Sequence, residues 1–224
     1  IAMKNAETPV MKVTLFGAIS SFGSALMAEM LRRQHEVIAI VDDLNALAPR
    51  PGLRTKTGNL FDSQRVSESI AGCSAVVCLL DAKVLPVGAE HTRAPIGLTP
   101  EEQLIATHTL LRCLRTAQIK RLILVADIQL LHNQPLADFQ NPDLDQYQAS
   151  GLIVDALRKS DADWTLVSAP QGVAGLSIEH FSHRSSTVEP SLEIPLEVLG
   201  RVASGIADEL KLNMHVRQYV NFVV

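Results

Sequence analysis

Short apolar runs alternate with segments of helical periodicity along almost the whole chain. Such runs are typical of strands buried on both faces, and segments with one apolar stripe are typical of helices that cover a sheet. The alternation predicts parallel strands joined by right-handed crossovers. The predicted strands are residues 10–16, 36–41, a short strand within 53–60, and residues 74–80, 121–126, 163–169 and 216–224. The sequence therefore predicts an α/β fold with a doubly wound, mainly parallel sheet and helices on both faces.

The helices between these runs are marked by apolar spacing and by cap residues. Leu26, Met27, Met30 and Leu31 share one face of a helix predicted over residues 24–34. Asp62 caps a helix that stops at Gly72, and Thr99, Pro100 and Glu102 form a capping box. Further helices are predicted over residues 147–159 and 195–210, with an irregular polar stretch over residues 170–190.

Length and composition exclude several classes of protein. A chain of 224 residues with 47% hydrophobic content suits one domain over residues 1–224, with residues 1–10 as an N-terminal extension or tag remnant. The net charge of -4 argues against a nucleic-acid partner, and no apolar run is long enough for a membrane partner. Three cysteines without a CxxC spacing favour buried thiols and a cytoplasmic location. The HFSH segment lacks a clear third ligand, so no metal site is expected.

The segment GAISSFG, residues 17–23, joins the first strand to the first helix. Gly17 suits a tight turn, Gly23 suits close packing of the helix, and the helix N-terminus attracts a pyrophosphate. Ser20 stands where such a loop usually has its middle glycine. Its side chain takes room from a phosphate, although its hydroxyl has a hydrogen to donate. The motif favours a Rossmann-type nucleotide site, with an unliganded strand–helix turn as the alternative.

The order of several further segments carries a family resemblance. The chain resembles the atypical, NmrA-like short-chain dehydrogenase/reductases, and most of all the candidate NADH-flavin reductases of bacteria. The matching segments run from about Met11 to the C-terminus: MKVTLFGAISSFG, RRQHEVIAIVDD, GNLFDSQRVSESIAGCSAVV, IKRLILVA, ADWTLVSAP and HVRQYVNFVV. The resemblance implies NAD(P)H bound along the strand ends. The positions it marks for cofactor binding are Gly17, Ile19, Ser20, Ser21, Phe22, Gly23, Asp42, Asp43, Asn59, Leu60, Leu79, Leu80, Asp81, Ala126 and Pro170.

Two departures from the family pattern bear on the chemistry. Relatives often carry Arg where this chain has Asp42, which would repel the 2′-phosphate of NADP and accept hydrogen bonds from the ribose of NAD. We therefore expect NAD(H) rather than NADP(H), with an exposed acidic turn as the alternative. Tyr147 and Asp127 are the candidate catalytic residues, but Gly151 stands where a Tyr–Lys pair would have its lysine. Ala126 or Asp127 stands at the position of the family's serine.

Three hypotheses about function remain open at this stage. The first is an NAD(P)H-dependent oxidoreductase that reduces a small-molecule substrate or a flavin such as FMN or FAD, because direct hydride transfer needs no side-chain acid. The second is a non-catalytic dinucleotide sensor or protein-interaction module with a degenerate cofactor site. The third is a degenerate fold that binds no nucleotide and serves an assembly partner. The apolar terminal strand is either covered within the chain or an edge for a homodimer.

Overall fold

The computed structural model of the chain describes residues 11–80, 97–128, 144–168, 173–182 and 187–222. Seven strands form one sheet in the order β3-β2-β1-β4-β5-β6-β7, and every neighbouring pair is parallel. The strands are β1 (Lys12–Phe16), β2 (Glu36–Val41), β3 (Leu53–Thr57), β4 (Ala75–Leu80), β5 (Arg121–Ala126), β6 (Asp163–Ser168) and β7 (Gln218–Asn221). The predicted doubly wound parallel sheet is confirmed. Its order reverses beside β1, which places a switch point at the carboxyl end of that strand.

Six helices lie within the described residues, and they cover both faces of the sheet. They are α1 (Ser21–Arg32), α2 (Ser63–Ile70), α3 (Pro100–Ala117), α4 (Gln146–Lys159), α5 (Ile178–Ser182) and α6 (Pro190–Leu212). One apolar core joins α1, α5 and α6 to the sheet, and a second core joins α2, α3 and α4 to its other face. β1 serves both, because its successive side chains point to opposite faces: Leu15 is in the first core and Phe16 in the second.

Two predicted helix starts and one predicted irregular stretch were wrong. The first helix begins at Ser21 rather than at residue 24, because Ser20 acts as its N-cap. The last helix begins at Pro190, so Pro195 lies inside it rather than at its start. Proline suits the first helical position, where its missing N–H would have no partner. The stretch predicted to be irregular contains α5.

A buried ion network holds the C-terminal part of the chain to the sheet. The Arg121 guanidinium on β5 lies 2.8 Å from a Glu209 carboxylate oxygen of α6 and 2.9 Å from the Thr165 hydroxyl of β6. His215 donates its main-chain N–H to Glu209 at 2.9 Å. Burial alone would raise the pKa of Glu209, but the hydrogen bonds from His215 and the charge of Arg121 hold it below its ordinary value. β7 follows this network and pairs with β6 as the outer strand of the sheet.

Candidate functional site

The turn between β1 and α1 is compressed around two glycines. Gly17 has a φ of +86°, and a Cβ there would lie 2.7 Å from the Cβ of Leu79. A Cβ on Gly23 would lie 2.1 Å from the carbonyl oxygen of Gly17 and 2.8 Å from Ala18. Larger residues at either position would force the main chain apart. The close approach that Gly23 permits is therefore between helix and turn rather than between helix and sheet.

Ser20 is built into this turn as the cap of α1. Its hydroxyl accepts the N–H of Gly23 at 2.9 Å and donates to the carbonyl of Gly17 at 2.9 Å. A hydroxyl has one hydrogen to donate, so this arrangement leaves none for a phosphate. The expectation that Ser20 donates to a phosphate oxygen does not fit this conformation. The side chain replaces the flexibility of a glycine with a local hydrogen-bonded cap.

The first turn of α1 leaves main-chain donors open. The N–H groups of Ser21 and Phe22 have no acceptor among the described residues, which is the usual state of the first helical positions. The Ser21 hydroxyl accepts the N–H of Leu176 at 3.1 Å. Phe22 is buried in the first core, whereas Ile19 is 53% exposed on the turn. Ile19 is therefore the exposed side chain of the turn, whereas the residues that carry the two N–H groups, Ser21 and Phe22, are each 5% exposed.

The other helices carry acidic residues at their N-termini, and α1 does not. Among the six described helices, α1 alone lacks a carboxylate at its cap or in its first turn. The carboxylates on the others are Asp62, Glu101, Glu102, Asp145, Glu179, Glu189 and Glu193. The positive end of the α1 dipole is therefore not compensated by a carboxylate at its own cap or first turn, an arrangement that suits an external anion.

The two acidic residues after β2 have different surroundings. One Asp43 oxygen accepts the main-chain N–H of Asn45 at 2.9 Å and its side-chain N–H at 3.2 Å. Asp42 is exposed and makes no hydrogen bond or ion pair with another described residue. Asp43 therefore stabilises the turn, whereas the exposed Asp42 carboxylate has no such role within the described residues.

The residues after β3 form a second tight turn. A Cβ on Gly58 would lie 2.4 Å from the Cγ2 of Ile40, so the chain passes close to β2. The side chain of Asn59 accepts the N–H of Phe61 at 2.9 Å, and Leu60 packs against the second core. Phe61 is 44% exposed.

Sequence reasoning missed two apolar side chains in this region. Phe61 follows β3, and Leu44, which is 53% exposed, follows β2. With Ile19 after β1, they give each of three neighbouring strand ends one exposed apolar side chain. The available signal was an unpaired large apolar residue inside a polar turn. Gly58 was missed as well, because its contact with Ile40 depends on the pairing of the strands.

The strand-end residues Leu79, Leu80 and Ala126 are buried, with 3%, 1% and 2% of their surface exposed. Leu79 fills the space beside Gly17. The three side chains are packed within the two cores, which leaves the main-chain atoms of these residues at the carboxyl edge of the sheet. Asp81 and Pro170 lie outside the described residues.

The candidate catalytic residues lie at the start of α4 and the end of β5. Gln146 donates to the main-chain oxygen of Asp127 at 2.9 Å and thereby ties the two elements together. Tyr147 is 38% exposed. Gly151 is exposed one turn later, and a Cβ there would meet no atom within 4 Å. The position four residues after Tyr147 thus has room for a lysine but is occupied by Gly151.

Comparisons with known proteins agree with this geometry. A family model described as NAD(P)H-binding matches residues 17–175. A short-chain dehydrogenase/reductase from Veillonella parvula in complex with NADP has a similar structure, with 14% identity and a TM-score of 0.58, over 94% of this chain and 93% of that one. A candidate NADH-flavin reductase from Streptococcus pneumoniae is 19% identical with a TM-score of 0.57, over 94% and 98%. No curated protein matches the chain significantly.

A third similar structure is a candidate exported protein from Burkholderia pseudomallei. It is 20% identical with a TM-score of 0.58, over 95% of this chain and 98% of that one. Identities at this level establish the fold alone. Within the described ranges, none of the helices has both the length and the apolar character that crossing a membrane requires.

Proposed function

The chain belongs to the NAD(P)H-binding family, and on that premise we propose that it is an NADH-dependent reductase that passes a hydride to a flavin. The uncompensated N-terminus of α1 carries the proposal. It offers the free N–H groups of Ser21 and Phe22 at the switch point of a parallel sheet, where ligands of such folds bind. The two glycines leave the turn without a Cβ at its closest contacts.

In this proposal each residue has a specific task. The N–H groups of Ser21 and Phe22 hold the pyrophosphate, and Asp42 accepts hydrogen bonds from the adenosine ribose. Leu44 and Phe61 supply apolar surface for the adenine beside it. The bound nicotinamide supplies a hydride, which a flavin accepts without a side-chain acid. Gly151 and Ala126 fit such a reaction, because they leave the chain without the relay that a carbonyl substrate needs.

We further propose that Asp42 selects NADH over NADPH. A carboxylate about 6 Å from a phosphate charge costs about 3 kcal/mol at an effective dielectric constant of about 20, or roughly 100-fold in affinity. Titration of both dinucleotides by calorimetry tests this preference. Asp42→Asn should narrow the difference, and Asp43→Asn is the matched control because its amide oxygen keeps the bonds to Asn45. Equal affinities for the two dinucleotides in the wild type would contradict the assignment.

Loss of NADH absorbance in the presence of FMN or FAD tests the reaction itself. Steady oxidation that depends on added flavin is the expected result. The open position at Gly151 favours a second candidate, a dinucleotide sensor that binds without turnover. That candidate predicts NADH binding with no oxidation by flavins, quinones or aldehydes. If neither NADH nor NADPH binds at millimolar concentration, both candidates are contradicted and the assembly role is left.

The remaining assignments are proposals about the chain as a whole. Both cores pack on the same sheet, which favours one domain and predicts a single unfolding transition. Cys73, Cys78 and Cys113 are buried and form no disulfide with one another, which favours the cytoplasm. The outer position of β7 favours a homodimer, which sedimentation would test.

A further inference from the structure

A segment that follows β6 lies against the helix that follows β1. Residues 173–182 include Leu176 and Ile178, which are 4% and 2% exposed and belong to the first core with α1. The N–H of Leu176 donates to the Ser21 hydroxyl at 3.1 Å, and this hydrogen bond is buried. Ser21 is the first residue of α1. One residue therefore presents its N–H at the helix N-terminus and its hydroxyl to a segment 155 positions away.

A second contact ties the same segment to the connection between β2 and β3. Glu179 on α5 lies 2.7 Å from Arg50. Hydrogen bonds from the Ser177 hydroxyl, from the main chain and from Arg50 hold the pKa of Glu179 below its ordinary value. Arg50 belongs to the connection that begins with Asp42. Besides its apolar packing in the first core, the segment thus makes two polar contacts, of which only the one to Ser21 belongs to the proposed pyrophosphate site.

We propose that Ser21 is a positioning residue that couples dinucleotide binding to the order of residues 173–182. The inference rests on the proposed function. Ser21 is only 5% exposed, but as the first residue of α1 its N–H lacks a partner within the helix, and helix ends open more readily than helix interiors. A phosphate bound to that N–H holds Ser21 in its helical conformation, and the hydroxyl then stays in place for Leu176. The segment after β6 becomes more ordered because the same residue takes part in both contacts.

The amide of Leu176 is a single-site reporter of this coupling. Hydrogen exchange at that amide, followed by NMR, should slow by roughly tenfold when NADH saturates the wild-type protein, in line with common coupling energies between sites. In Ser21→Ala the main-chain N–H remains but the acceptor is lost, so NADH should no longer slow this exchange. Glu179→Gln weakens only the second attachment and should retain the tenfold effect.

The outcomes separate this inference from the proposed function. If NADH binds the wild type and exchange at Leu176 is unchanged, the coupling is wrong while the cofactor assignment stands. Equal slowing in wild type and Ser21→Ala would also overturn it. If the Ser21 hydroxyl had only a structural role, Ser21→Ala would change the exchange rate at Leu176 by the same factor with and without NADH. If NADH does not bind at all, the proposed function fails first. If Ser21→Ala does not fold, unchanged exchange at Leu176 in the NADH-saturated wild type still overturns the coupling.

Discussion

The N-terminus of α1 and that of α3 are two solutions to the same problem. Both helices follow parallel strands, so both begin at the carboxyl edge of the sheet. In α3, Thr99 accepts the N–H of Glu102 at 3.2 Å, and the Glu102 carboxylate accepts the N–H of Thr99 at 2.7 Å. In α1, Ser20 accepts one N–H, and no carboxylate is present. α3 therefore begins with a full capping box that includes a carboxylate, whereas α1 begins with a cap hydroxyl and has no carboxylate in its first turn.

The α4 helix shows that this difference is not a matter of cap type alone. Asp145 accepts the N–H of Gln148 at 2.7 Å, and Gln148 accepts the N–H of Asp145 at 3.3 Å. α3 and α4 thus place a negative charge where the helix dipole favours one. α1 carries no such charge at its cap or in its first turn. This difference between the helix starts is the observation on which the proposed pyrophosphate site rests.

The largest expected effect comes from closing the space around the α1 turn. In Gly23→Ala the added Cβ would lie 2.1 Å from the Gly17 oxygen, so the turn must open. We expect a loss of about 3 kcal/mol in the free energy of unfolding, with loss of NADH binding. Urea unfolding and NADH titration measure the two effects.

The matched control for this change is on α4. Gly151→Ala adds the same methyl group where no atom lies within 4 Å, and it should raise stability by about 1 kcal/mol. If both variants unfold at the same urea concentration, the compression around Gly23 is wrong, and the two helix starts do not differ in this way.

Giving α1 the carboxylate that the other helices have should abolish its difference from them. Ser20→Asp keeps a good cap residue but adds a negative charge near the proposed pyrophosphate. At about 6 Å and an effective dielectric constant of about 20, this costs about 3 kcal/mol, or roughly 100-fold in NADH affinity. Calorimetric titration provides the measurement.

The control is Ser20→Asn, because asparagine has the shape of aspartate and is an equally good cap residue, but carries no charge. Its NADH affinity should stay close to that of the wild type. Equal affinities for the Asp and Asn variants would mean that no phosphate lies near this helix end, and the proposed site would then be in the wrong place.

The third prediction separates capping from ligand binding. Ser20→Ala and Thr99→Ala each remove a cap hydroxyl, and each should cost about 1 kcal/mol of unfolding free energy. Only Ser20 adjoins the proposed site, so Thr99→Ala should leave the dissociation constant of NADH unchanged. A change of affinity in Thr99→Ala similar to that in Ser20→Ala would show that both variants act through stability alone.

The sequence was sufficient for the sheet because its strands are short apolar runs, and burial on both faces requires such runs. The prediction of the first helix missed residues 21–23, because the sequence SFG is not typical of a helix start unless Ser20 is known to be the cap. The prediction also failed at α6, where Pro195 looked like a helix start although Pro190 fills that role.

The candidate site was predictable only in part. The glycines at positions 17 and 23 follow from local turn geometry, and the chain position of Asp42 follows from the strand order. The contact between Ser21 and Leu176 joins residues far apart in sequence and depends on how α5 packs. The free state of Asp42 depends on Asp43 having taken the turn role. Neither fact has a local sequence signal.

The other end of α1 extends the comparison and carries the smallest expected effect. His35 follows the helix, is 3% exposed, and its ring nitrogens have no partner among the described residues. Burial, and then the charges of Arg33 and Lys211, lower its pKa from the ordinary value of 6.5. Arg33 and Lys211 already place positive charge near this end of α1, and they disfavour a further charge on His35.

The sign of the pH dependence follows from this lowered pKa. Below about pH 6.5 the unfolded chain takes up a proton that the folded chain refuses, so stability should fall as the pH falls. Thermal unfolding from neutral pH downward should show this loss in the wild type and less of it in His35→Leu. Identical slopes for wild type and His35→Leu would mean that folding does not lower the pKa of His35.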